Sequence, residues 1–147
     1  MRGSDQQATL YYLARLLQAG EDPKFIARRM IVFASEDVGV AASAALNIAV
    51  STFLAVERIG MPECKYNLFH CATVLAKCEK SRQVTDFMTE AYLLADKFPS
   101  SSIPLHLRNA PTKLMADLGY GKGTKWEAGF KHPKGFLPDD VNDSLSK

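Results

Sequence analysis

Gly20-Glu21-Asp22-Pro23 is the key to this chain. Glycine suits the position just past a helix end, aspartate caps a new helix, and proline fits its first turn. One helix therefore stops and another starts within four residues. Upstream, Leu10, Leu13, Leu16 and Leu17, with Tyr11 or Ala14 beside them, recur at helical spacing and predict a helix from about Asp5 to Ala19. Ser4 or Asp5 serves as its cap. Downstream, Phe25, Ile26, Met30 and Phe33 give the second helix an apolar face.

The same punctuation recurs further along. A third helix is expected from between Val40 and Ser43 to Ile59, with Leu46, Val50, Phe53, Leu54 and Ile59 as its stripe. No charged residue occurs from Val38 to Ala55, so this helix is expected to be the most buried. Gly60 ends it and Pro62 opens a fourth, which carries Cys64, Cys71 and Cys78 with Leu68, Val74 and Leu75. Ser81 caps a fifth helix that ends near Phe98, its face being Val84, Phe87, Met88, Tyr92 (or Ala91) and Leu94 (or Ala95). Pro99 and Ser100 to Ser102 break it. No run alternates with a period of two. The expectation is an all-α fold of five main helices in stacked hairpins.

After Pro99 the composition changes. A short sixth helix is expected from Asn109 or Ala110 through Leu118, with Leu114, Met115 and Leu118 facing inward and Gly119 ending it. Residues 120–138 mix glycine and proline with Tyr120, Trp126, Phe130 and Phe136, which predicts an irregular aromatic arm that packs on this domain or on a neighbour. The helical domain is expected over 1–138, with a frayed tail over 139–147.

The chain has 147 residues, 47% hydrophobic and 23% charged, which is ordinary for a globular protein and excludes disorder of the whole chain. No apolar run approaches the ~18 residues of a membrane span. The polar start lacks a secretory h-region, and no membrane partner is expected. A net charge of +2 does not by itself imply nucleic acid. It is unevenly spread, however. Residues 1–100 are neutral, 101–135 carry a net +4, and 136–147 a net −2. The basic segment holds His106, Arg108, Lys113, Lys122 and Lys125, the candidate contacts to nucleic-acid phosphates.

The cysteines stand seven residues apart, about 10.5 Å along a helix, too far for a disulfide or a shared zinc. They read as reduced, small, buried residues. The sharper alternative is a reactive Cys64 near a helix N-terminus. His70, His106 and His132 lack a paired ligand at metal spacing, so no metal is expected. Glu36 and Asp37 at the end of the second helix oppose its dipole and need a compensating partner, for which Arg28 and Arg29 are candidates. Gly119-Tyr120-Gly121-Lys122-Gly123-Thr124 is not a Walker A loop, because Ala116 takes the first glycine's place, Gly123 rather than serine or threonine follows Lys122, and the segment follows a helix. No catalytic residues are assigned.

Several segments together resemble a known family. They are Gly20 to Pro23, Ile26-Ala27-Arg28-Arg29, Ala34-Ser35-Glu36-Asp37-Val38-Gly39 and Ala55 to Glu63. The most specific is Pro104-Leu105-His106-Leu107-Arg108-Asn109-Ala110-Pro111-Thr112-Lys113-Leu114-Met115, continuing to Leu118-Gly119-Tyr120-Gly121-Lys122-Gly123. From about Arg2 to Pro138 the chain is similar to the C-terminal domain of the replication-associated recombination protein A (RarA, also MgsA) family of AAA+ ATPases. Werner-helicase-interacting ATPase is its eukaryotic relative. The chain departs from the family at Thr124-Lys125-Trp126 and over 85–100.

The resemblance implies a clamp-loader-collar-like helical domain that drives tetramer assembly of an ATPase working at stalled or damaged replication forks. It implies that ATP and magnesium bind in an upstream domain and that this piece has no cofactor. Implied partners are a second copy of itself, DNA and single-strand-binding protein. The implied location is the bacterial cytoplasm, near the nucleoid, or the eukaryotic nucleus. The self-association candidates are Leu46, Val50, Phe53 and Leu54 on the third helix and Tyr120, Trp126 and Phe130 on the arm. The reading from another class is a DNA-binding module acting through 101–135.

Overall fold

The structure is a computed structural model that describes residues 1–125 and 127–146. Among these there is no strand, and the fold is all-α. The helices are α1 (Gln6–Gln18), α2 (Pro23–Phe33), α3 (Ala44–Ile59), α4 (Cys64–Lys77), α5 (Gln83–Lys97), α6 (Lys113–Asp117) and α7 (Asp139–Leu145). The chain divides into two units, Met1–Thr89 and Glu90–Lys147.

In the first unit the helix ends follow the local chemistry. The Asp5 carboxylate accepts from the Ala8 N–H at 2.9 Å. At the other end of α1, the Glu21 N–H reaches the Leu16 carbonyl and the Gly20 N–H the Leu17 carbonyl, the paired bonds of a Schellman stop. Asp22 then accepts from the N–H groups of Lys24 and Phe25, with Pro23 in the first turn.

The centre of the unit is α4, which packs against α1, α2 and α3. Cys64, Leu68, Cys71, Ala72 and Leu75 are fully buried. This corrects the expectation that the third helix lies deepest. Helix α3 buries Ala45, Ala49, Thr52 and Val56 and turns Leu46, Val50 and Leu54 outward. The reason is steric: small side chains let two helix axes approach closely, so the alanine stripe takes the inner face and the larger residues are left outside. Elsewhere Leu13, Ile26, Met30 and Phe33 are core as expected, while Leu16 and Phe25 are exposed.

The segment after α2 winds more loosely, as a π-helical turn over Ala34–Val38. Asp37 is held there by Arg2, whose Nε lies 2.6 Å from Oδ1, and the Glu36 carboxylate is 3.9 Å from the same guanidinium. Arg2 therefore supplies the compensation expected of Arg28 or Arg29; Arg28 lies 3.9 Å from Asp22 instead. Gly39 follows with φ +53°, and a Cβ there would stand 3.1 Å from Val84 Cγ2, so both conformation and space select glycine.

The cysteines are free. Burial pushes the thiols of Cys64 and Cys71 up, with Glu63 adding to the shift at Cys64 and a hydrogen bond from Thr52 opposing it at Cys71. A thiol held protonated is a poor nucleophile, which corrects the reactive reading of Cys64. In a thiol-reagent time course, Cys78, half-buried at the end of α4, should react first. Cys64 and Cys71 should react only at the rate of unfolding.

In the second unit, α6 is shorter than expected, and Leu114 and Leu118 are exposed rather than inward-facing. A helix of one and a half turns is too short to bury both. Residues 139–145 are helical where the sequence suggested a frayed tail. Asp139 and Asp140 favour the first turn through the dipole, Val141 is buried, and Asp140 accepts from the Ser101 hydroxyl. Lys97 Nζ donates to Ser144 Oγ at 2.9 Å. No described helix is long and apolar enough to cross a membrane.

Candidate functional site

Two surfaces carry candidate function, one in each unit. On α3 the outward residues Leu46, Val50 and Leu54 stand one turn apart and are 41%, 40% and 44% exposed. Residues four apart share a helix face, so the three form one apolar strip along about two turns. Phe53, expected in the same strip, is half-buried and packs against the core. The strip is thus leucine and valine, with phenylalanine belonging to the interior.

The second surface is the basic arm, and a buried histidine organises it. His106 sits in a short 3-10 turn over Leu105–Leu107. Its Nε2 is 2.9 Å from the Gly135 carbonyl. A carbonyl can only accept, so Nε2 carries the proton. The Thr124 hydroxyl donates to the His106 carbonyl at 2.7 Å, and the Gly121 N–H to the Leu105 carbonyl at 3.0 Å. The His132 ring stacks on His106 with centroids 3.7 Å apart and planes 5° from parallel. Phe130 and Phe136 pack edge to face, 6.5 Å apart, and both lie near the histidine stack.

Of the sequence-predicted basic residues, the structure brings only His106 and Lys122 to one place. They line a cleft of about 400 Å³ together with His132, Lys134 and Asp139. The Arg108 guanidinium is engaged within the unit, donating through Nε to the Ile103 carbonyl at 2.8 Å and lying over the Tyr120 ring. Lys113, in the first turn of α6, and Lys125 are exposed and do not line the cleft. Tyr120 and Phe130 are half-buried in the arm. Trp126 lies outside the described residues.

Sequence reading missed His132 and Lys134 as members of this cluster. The only hint is the turn His132-Pro133-Lys134-Gly135; its pairing with His106, far away in sequence, is a tertiary fact. The Gly119–Thr124 segment is a series of turns after α6 and leads into no helix among the described residues, so it does not fit a nucleotide triphosphate as a Walker loop would.

Desolvation pulls the His132 imidazole below its ordinary value, with His106 and Lys134 adding to the shift. The geometry agrees, since the Lys134 N–H donates to His132 Nδ1 at 3.2 Å and so requires that nitrogen unprotonated. The stabilising contribution is fully present above the ordinary histidine value of 6.5 and is lost as pH falls below it. In a pH titration followed by NMR, the Lys134 amide should hold its folded-state shift above pH 6.5 and lose it on acidification. The amides of α4 should not respond over the same range.

The described residues form an all-helical domain, and among them no group of three or more potential metal ligands stands together. Residues 3–144 match the family model described as MgsA AAA+ ATPase C terminal. The chain belongs to that family. It is 41% identical to ATPase WRNIP1 of Dictyostelium discoideum over 88% of this chain and 15% of that protein. It is 40% identical to replication-associated recombination protein A of Escherichia coli K12 over 83% of this chain and 27% of that protein. With the protein of the same description from Coxiella burnetii the identity is 38% over 96% of this chain and 33% of the relative. The chain therefore spans no more than a third of the length of these relatives.

Proposed function

We propose that this chain is the self-association domain of a longer AAA+ ATPase that works in replication-fork maintenance, DNA repair and recombination. It holds four subunits together in a collar-like, homotetrameric arrangement. The observation that supports this is the strip Leu46, Val50 and Leu54, three large apolar side chains in a row that are each about two-fifths exposed. Contiguous apolar faces of this kind mark contact surfaces, and symmetric association of identical chains buries them in pairs.

ATP and magnesium belong, in this reading, to another part of the longer protein, and the 147-residue chain itself hydrolyses no ATP. DNA and single-strand-binding protein are partners of the whole assembly. Its compartment is the one where DNA replicates, the bacterial cytoplasm or the nucleus. Light scattering of the 147-residue chain tests the reading directly. A mass four times that of one chain is expected. A strict monomer at high concentration would overturn it and move the basic arm to first place as a nucleic-acid module.

A further inference from the structure

We infer that the cleft bordered by Lys122, His132 and Lys134 is a binding site for a phosphate-type oxyanion. Neither lysine enters any of the ion pairs among the described residues. Both nevertheless line the same concavity of about 400 Å³. Asp139, the one carboxylate on its lining, stands beyond ion-pair distance of either. Two like charges converging on a recess create a positive field that an anion relieves, and concave walls focus that field.

The imidazoles add direction. His132 Nδ1 is occupied by the Lys134 N–H, which leaves Nε2 as the hydrogen-bond donor of the neutral ring. That nitrogen faces Gly123, where φ is +84° and a Cβ would stand 3.3 Å from Nε2. Any larger residue would press on the ring, so glycine is what lets the imidazole lie there. The stack on His106 fixes the ring plane, and His106 is itself pinned through Gly135. The site therefore offers two exposed ammonium groups beside an imidazole pair held in one plane, chemistry that a tetrahedral phosphate oxygen set accepts.

The phosphate can be a phosphodiester of a nucleic-acid backbone or a free phosphate, and the test separates them. The full chain is titrated with inorganic phosphate and, separately, with a short single-stranded oligodeoxynucleotide, each against chloride at matched ionic strength. The readout is the imidazole resonances of His106 and His132. Saturable shifts are expected that chloride does not reproduce. A response to the oligonucleotide alone assigns the backbone phosphodiester, and a response to both assigns a general phosphate site. With ligand bound, the pH at which His132 titrates should rise, since the anion offsets the positive charge that Lys134 and a protonated His106 place beside the ring.

Replacing both lysines, Lys122→Ala with Lys134→Ala, should weaken binding at least tenfold, whereas Lys65→Ala, exposed on α4, should leave it unchanged. If the alanine pair disturbs the arm, Lys122→Gln with Lys134→Gln keeps the side-chain stems and should give the same loss. Shifts that follow ionic strength alone, or unaltered binding in the glutamine pair, would overturn the assignment. Self-association is read separately, by mass, so failure of either idea leaves the other standing.

Discussion

Leu68→Ala is expected to destabilise the first unit by roughly 3 kcal/mol, within the range of about 2–5 kcal/mol for truncating a fully buried leucine. Leu68 is fully buried in the second turn of α4, the helix that touches α1, α2 and α3 together. A void there has walls from several helices, and they cannot all collapse into it at once. The neighbours Cys64, Cys71 and Ala72 are small, so no flexible side chain stands ready to fill the space. Urea denaturation should show a lower midpoint with an unchanged slope, because the surface exposed on unfolding is nearly the same. The thermal midpoint should fall by on the order of 10 °C. Leu114→Ala, on an exposed position of α6, is the control and should stay within about 0.5 kcal/mol. Both should be compared at one protein concentration, since association itself adds stability. A Leu68→Ala variant as stable as the parent would mean that α4 is not the centre of the core.

The second large effect is on assembly. Leu46→Glu combined with Leu54→Glu is expected to convert the proposed tetramer to monomers while leaving helicity unchanged. Both leucines are more than a third exposed in the single chain, so a carboxylate at either position stays hydrated there. Pressed against a partner, the same carboxylates would be desolvated without a counter-charge, which costs several kcal/mol per ion. A loss of about 4 kcal/mol corresponds to roughly a thousandfold in dissociation constant. A symmetric contact uses each strip twice and enlarges the effect. Phe53→Asp should behave differently, because Phe53 packs against the core. That variant should lose helicity along with any assembly, so the pair of experiments separates interface from interior. A Leu46→Glu, Leu54→Glu chain that keeps its full mass would place the seam elsewhere.

Local chemistry makes much of the fold legible in the residues themselves. The stop at Gly20, the cap at Asp22 and the start at Pro23 appear as read, because capping depends on residues within a few positions of one another. The succession of five main helices is legible for the same reason, and the family is legible from the residues as well. The arm is legible as aromatic and basic, since composition alone says that. Its stacked histidines are not, because no local rule links His106 to His132.

Residue order on its own thus carries the class of fold, the succession of helices and the family. Packing in three dimensions settles which face of each helix is inside. Helix α3 has apolar residues on more than one face, so periodicity offers Leu46, Val50 and Leu54 as readily as Ala45 and Ala49. Packing takes the small residues, because only they let α3 lie close to its neighbours, and leaves the large ones facing outward. The folded chain also selects Arg2 as the partner of Asp37, across 35 positions of sequence. It gathers Lys122, His132 and Lys134 around one cleft, since side chains distant in sequence meet only where the backbone has already turned back on itself.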